Sequence, residues 1–227
     1  MTKAELYTFV TSLNDGYQMG TSLFDTFLNI AQMRRENQRP WMILRSVDTS
    51  NSITGANTFL TANTLPTDFR KWYSATPIAL VNAQGDIQQR CSEVQINDRN
   101  SYKGFLDKFY CDYGNSQFFM CGTPSQSFTL NLFYIKKSTL VSSADGNEWI
   151  FPSEYHPILG LDVSVMWKLG VDYDVINNAQ GNANAGLANA IFEQMTEWDS
   201  DLQNSSLQGR DYPPPTHGGF TQLGGRV

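Results

Sequence analysis

Histidine is nearly missing from this chain of 227 residues: it has only His156 and His217. His217 lies in a Gly- and Pro-rich C-terminal stretch where no rigid shell of neighbours would hold an imidazole. His156 stands beside Pro157 at the start of a predicted helix, a surface or packing position. Cysteine is little better represented. Cys91, Cys111 and Cys121 are an odd number with no C-x-x-C pair, so they read as buried thiols in a reducing compartment. A Cys111–Cys121 hairpin disulfide is the other reading. Two distant histidines and three scattered cysteines do not supply the clustered ligands of a zinc site. No metal or cofactor is expected.

Other signatures are missing too. There is no G-x-S-x-G turn and no histidine near a cysteine, so a nucleophile has no base. No Walker A or G-x-G-x-x-G stretch cradles a phosphate; Gly218-Gly219 and Gly224-Gly225 belong to the terminal stretch. No run of eighteen apolar residues spans a membrane. Glu5, Thr8, Thr11 and Ser12 interrupt the first apolar residues, which argues against a secretory signal. A cytoplasmic site of synthesis and no enzymatic activity are the expectations.

Charge is also sparse, at 17% of residues, and unevenly placed. Residues 1–40 balance four basic against four acidic side chains, and residues 41–144 hold nine against seven. Residues 145–201 hold ten acidic side chains against Lys168 alone, a net −9. A nucleic-acid binder concentrates Lys and Arg on one face, and this chain does not. Its acidic third repels phosphate, which suits a channel that must pass DNA without holding it. Carboxylate pairs such as Asp172/Asp174, Glu193/Glu197 and Asp199/Asp201 leave a glycosidase open by inventory. Glu193 and Glu197 at i, i+4, with Asp199 and Asp201 beyond, read instead as one solvated helix face.

What is plentiful is aromatic and uncharged polar surface, adhesive enough for stable subunit contacts. Thr2-Lys3-Ala4-Glu5 has capping-box spacing, followed by Leu6, Phe9, Val10, Leu13 and Tyr17 on one helical face. Thr21-Ser22 caps a second helix with Phe24, Phe27, Leu28 and Ala31 on a face and Arg34 and Arg35 near its end; Pro40 closes the region. From Trp41 to about Val141 short apolar runs alternate with turns such as Asp48–Asn51, predicting antiparallel strands. Expected strands are Trp41–Val47, Pro77–Val81, Ser92–Ile96, Phe105–Cys111, Gln117–Gly122 and Phe128–Ile135. Phe133 and Ile135 on the second face of the last suggest that this side is covered as well. Helices resume near Ser153 and run to Gly170. After an Asn/Ala-rich connection (Asn177 to Ala185), a final helix carries the stripe Leu187, Ile191, Met195, Trp198, Leu202.

The expected fold is therefore α+β: a helical bundle from residues 1–40 and 150–208, an inserted antiparallel β domain at 41–149, and an extended arm at 209–227. Pro213-Pro214-Pro215 favours polyproline II, at ~3.1 Å per residue. The arm reads as a segment that orders on a neighbouring protein, with Tyr212, Pro213, Pro214, Pro215 and Phe220 as contacts.

Three pieces carry a family resemblance. They are Phe59-Leu60 with Leu65-Pro66-Thr67-Asp68-Phe69, the proline-led entry Phe151-Pro152-Ser153-Glu154-Tyr155-His156-Pro157-Ile158-Leu159, and a last helix containing Trp198-Asp199. Together, over most of residues 1–207, the chain resembles tailed-bacteriophage head-to-tail adaptor (connector) proteins. The resemblance implies a structural virion protein at the neck, assembled in the host cytoplasm. It implies a homo-oligomeric ring, a dodecamer, docked below the portal with a tail or nozzle protein beneath. Asp172, Asp174, Glu193, Glu197, Asp199 and Asp201 are then channel candidates for DNA passage during ejection. The alternative is a tail- or capsid-associated binding module whose β domain grips carbohydrate or a capsid surface, with Trp41, Trp72 and Tyr73 as stacking platforms.

Overall fold

A computed structural model describes residues 1–171 and 179–206 of the chain. Two compact units divide it: Met1–Leu44 with Ser138–Ser206, which is helical, and Arg45–Lys137, which is a sheet.

The helical unit begins with α1 (Lys3–Leu13). The Thr2 hydroxyl accepts from the Glu5 N–H, and the Glu5 carboxylate accepts from the Thr2 N–H, satisfying two orphan donors of the first turn. The helix stops where Asp15 and Gly16 take positive φ, 55° and 83°. Thus Tyr17, expected on the buried face, lies past the end and is exposed. Helix α2 (Thr21–Asn37) starts from Gly20, not from a side-chain cap.

A short 3-10 turn, Ser153–Tyr155, leads into α3 (Pro157–Val171). Every residue from Ile158 to Ser164 is buried, because α3 packs against α1, α2 and the last helix, α4 (Ala179–Ser206). A Cβ at Gly160 would lie 2.6 Å from the Phe9 ring, so glycine sets how closely α1 approaches. Helix α4 has 28 residues and is about 42 Å long at ~1.5 Å per residue. It starts inside the expected connection, because alanines 179, 183 and 185 favour helix over loop.

The sheet unit contains β1 (Arg45–Ile53), β2 (Ala62–Thr64), β3 (Phe69–Trp72), β4 (Ile78–Val81), β5 (Ile87–Glu93), β6 (Lys108–Asp112), β7 (Gln117–Met120) and β8 (Phe128–Lys136). The strand order is β1-β8-β4-β5-β6-β7-β2. Strand β8 is the organising element: β1 lies along one edge, while β4 and β3 share the other. Phe128, Leu130 and Leu132 enter the interior with Ile53, Leu80, Phe109 and Phe118. Phe133 is buried on the opposite face with Ala79 and Val81, so both faces of β8 are covered at that end.

The sheet curls until its outer strands meet. The Asn51 amide donates to the Thr64 carbonyl at 3.0 Å, and the Thr64 N–H donates to Asn51 Oδ1 at 3.3 Å. A side-chain bridge replaces a backbone ladder there, which leaves the barrel nearly closed. Gly122 is required at its place, since a Cβ would lie 2.6 Å from the Leu106 backbone nitrogen.

These observations correct the expected fold class. The chain is a mixed α/β protein with a large, nearly closed barrel sheet in the middle of the sequence and helices at both ends. The sheet is not purely antiparallel, because β5 and β6 pair in parallel. Nor do the helices form a bundle core. A bundle needs each helix to turn one apolar stripe to a common seam, whereas α3 is buried on every side from Ile158 to Ser164, Asp162 and Ser164 included, and serves as a hub. Trp41 also leaves the β region: it is fully buried in the helical unit, just before a 3-10 turn at Met42–Leu44.

Candidate functional site

Helix α4 has two chemically distinct sides. Asn184, Ala188, Met195 and Asp199 are buried, while Glu193, Glu197 and Asp201 are exposed. The steps of four place those three carboxylates in one column along the helix. Among the described residues no Lys or Arg pairs with any of them. The column is thus an uncompensated stripe of negative charge along about 12 Å of a packed helix.

Asp199 departs from the expected solvated face. It is fully buried, accepts the Met42 N–H at 2.6 Å, and pairs with Arg39 at 3.0 Å. It anchors α4 to the turn after α2 and cannot face a channel. Two residues rotate a helical side chain by about 200°, so Asp199 and Asp201 point to different sides. The predicted stripe shifts as well: Leu187 is 53% exposed, and Ala188 takes the inward position. Asp172, Asp174, Tyr212, Pro213, Pro214, Pro215 and Phe220 lie outside the described residues.

The helices that carry this face are fixed by buried polar contacts that the sequence did not disclose. Arg35 Nε and Nη2 donate to Asp162 Oδ2 and Oδ1, both at 2.6 Å, a bidentate pair joining α2 to α3. The Arg35 guanidinium also sits 5.2 Å from the centroid of the Phe192 ring of α4. Glu36 accepts from Trp149 Nε1 at 2.9 Å, from Gln32 and from Ser138 Oγ. Gln32 in turn accepts the Val141 N–H. Ser164 donates to Asn14 at 2.9 Å and accepts from Asn184 at 3.3 Å, linking α3 to both neighbours. His156 is buried too; its Nε2 meets the Phe151 carbonyl at 2.7 Å.

As a consequence, α2 is inside out over its second half. Gln32, Arg35 and Glu36 point inward, while Ile30 and Met33 are 44% and 49% exposed. With Leu23, 41% exposed, and half-buried Phe27 they form an apolar outer stripe.

A groove of about 470 Å³ is lined by Thr58, Phe59, Leu60, Lys103, Gly104, Cys121 and Thr123. Its thiol is held in the protonated form at neutral pH, since burial pushes Cys121 up to about 11. Burial likewise pushes Cys91 up to about 12 and raises Cys111 further. All three cysteines are free. Trp72 packs on the barrel core, and Tyr73 lies under the Arg45 guanidinium at 4.1 Å. With Trp41 buried, the expected carbohydrate platform is not assembled. Among the described residues no group of His, Cys, Asp and Glu is arranged to hold a metal ion, and no helix is long and apolar enough to cross a membrane.

A family model described as SU10 adaptor protein matches residues 1–216. No curated protein matches the chain.

Proposed function

We propose that this chain, which belongs to the SU10 adaptor protein family, forms a twelve-membered ring below the portal of a tailed bacteriophage and joins it to the tail. The family is that of a bacteriophage head-to-tail adaptor, a structural component of the virion that contacts other phage structural proteins. In the proposed assembly the arm 209–227 extends onto the portal, a nozzle or tail protein binds below, and the ring is built in the host cytoplasm. Helix α4 faces the bore.

The observation that carries this reading is the column Glu193, Glu197 and Asp201, exposed on a helix whose opposite side is locked by Asp199. Fixed carboxylates repel the phosphate backbone and leave exiting DNA nothing to bind. The rigid setting matters, because a charged wall that folded away would expose the apolar helix beneath it.

Native mass spectrometry of the full chain mixed with its portal protein tests the docking. A complex carrying twelve adaptor copies per portal ring is expected, and loss of that complex on deleting Gly209–Val227 while the chain stays folded. Undiminished portal binding by the truncated chain would refute the role given to the arm. Failure of the full chain to bind any portal ring would refute the docking itself.

A further inference from the structure

The outer stripe of α2 has no partner within the described residues, and its composition says what kind of partner fits. Along Leu23, Phe27, Ile30 and Met33 it presents apolar side chains, with exposed Arg34 as the cation in their midst. Asp25, about 200° around the helix from Leu23, is engaged by Lys3 at 3.1 Å. The outer side of α4 is the converse. It offers Leu187 as an exposed apolar residue and three carboxylates, and no Lys or Arg.

We propose that the outer face of α2 is the seat for α4 of a second copy of this chain, with the helices running in the same direction. Leu23 packs beside Leu187 of the neighbour, and Arg34 pairs with its Glu197. The spacing supports this register: Leu23 to Arg34 spans about 16 Å of helix and Leu187 to Glu197 about 15 Å. In the opposite direction Arg34 would meet Leu187, and the carboxylates would meet Leu23. A twofold contact of α2 on α2, or of α4 on α4, is disfavoured because it sets Arg34 against Arg34, or one acidic column against another. Two different faces that complete each other between copies can propagate head to tail, and they give a ring where the rotation between copies closes.

Leu187 stands at one edge of the acidic column, about 40° from Asp201 and 120° from Glu193 around the helix. Seating that edge on the neighbour therefore leaves Glu193 free to face the bore. The inference rests on the ring reading above and specifies its subunit contact. It also accounts for the inside-out helix: burying Arg35 and Glu36 against α3 and Trp149 releases Ile30 and Met33 for a partner.

The test uses phage particles assembled with an equal mixture of two chains, one carrying Leu23→Cys and one, tagged, carrying Leu187→Cys. Native Cys91, Cys111 and Cys121 are buried and do not compete. Mild oxidation is expected to give a disulfide dimer of one tagged and one untagged chain, absent when either chain is used alone. Particles that hold the mixed chains at the portal vertex but yield no such dimer overturn the contact and leave the ring reading standing. If the unsubstituted chain is missing from the vertex, both fall together. Should the cysteine variants not be incorporated, the Arg34→Lys chain tests the same pair. Zero-length carbodiimide coupling of position 34 to Glu197 between isotopically distinct copies is expected, and its absence overturns the contact.

Discussion

The barrel interior of the sheet unit is closed by Ile53, Leu80, Phe109, Phe118, Leu130 and Leu132, with neutral Cys91 and Cys111 among them. Among the described residues Asn63 is its buried polar side chain. The helical unit buries Gln32, Arg35, Glu36, His156, Asp162, Asn184 and Asp199. One unit is sealed by non-directional packing, the other is also pinned by hydrogen bonds and ion pairs that tolerate little rotation. Packing of the first kind gives a sturdy body. Directional contacts of the second kind fix which way each helix face points, and that orientation is what a subunit presenting distinct surfaces to several partners needs.

Breaking the buried pair is the largest test of this difference. Asp162→Ala strands the Arg35 guanidinium in a nearly closed site, so a loss of about 3–5 kcal/mol is expected in chemical denaturation followed by Trp fluorescence. The double variant Arg35→Met/Asp162→Leu should recover most of it, because replacing both charges removes the desolvation cost. If the single variant unfolds where the parent does, directional contacts do not hold this unit. Leu130→Ala in the barrel should cost about 2–5 kcal/mol through the cavity it leaves. That loss should be independent of ionic strength, and a strong salt dependence would blur the contrast.

Asp199 and Asp201 show the same contrast within one helix. Removing the Asp199 carboxylate takes this acceptor from the Met42 N–H and leaves Arg39 with the Thr196 carbonyl alone, so Asp199→Ala should cost about 1–3 kcal/mol. Asp201→Ala should stay within about 0.5 kcal/mol. Equal effects would mean that α4 is not held by its inner side.

The two units should also differ in alkali. Cys91 and Cys121 are raised by burial from 9.0 to about 12 and about 11. A raised folded value means the unfolded thiol ionises first. The thiols' contribution is therefore complete below pH 9 and declines as pH rises through about 9 to 12. Circular dichroism of the sheet unit should hold through neutrality and weaken in that window, and native thiols should resist alkylation at pH 8. Rapid labelling of Cys91 in the folded chain would contradict its placement. The smallest stability effect belongs to the acidic column. Glu193→Gln, on the side of the column left free for the bore, should leave the melting temperature almost unmoved, while DNA release from particles slows.

Local signals were legible in the sequence where the chemistry is local. The Thr2/Glu5 capping box forms, and Phe133 and Ile135 do cover the second face of β8. Signals that depend on distant partners were not. Arg34 and Arg35 are equivalent by helix position, and only Asp162, 127 residues away, turns one of them inward. Asp48–Asn51 has the chemistry of a turn, yet it is spent on a bulge inside β1. There Asp48 holds Ser50, and Asn51 bridges to Thr64. The parallel β5–β6 pairing left no mark in the alternation of either strand, because register periodicity is the same in both directions. The acidic column was legible as charge, but its separation from Asp199 needed the helix phase fixed by Ala188 and Met195.

Cryo-EM reconstruction of the portal vertex in intact particles shows directly which element lines the bore. A closed ring of twelve copies between portal and tail is expected, with the Glu193 side of the α4 acidic column turned to the bore. A vertex without this chain, or a ring whose bore is lined by another element, would contradict it.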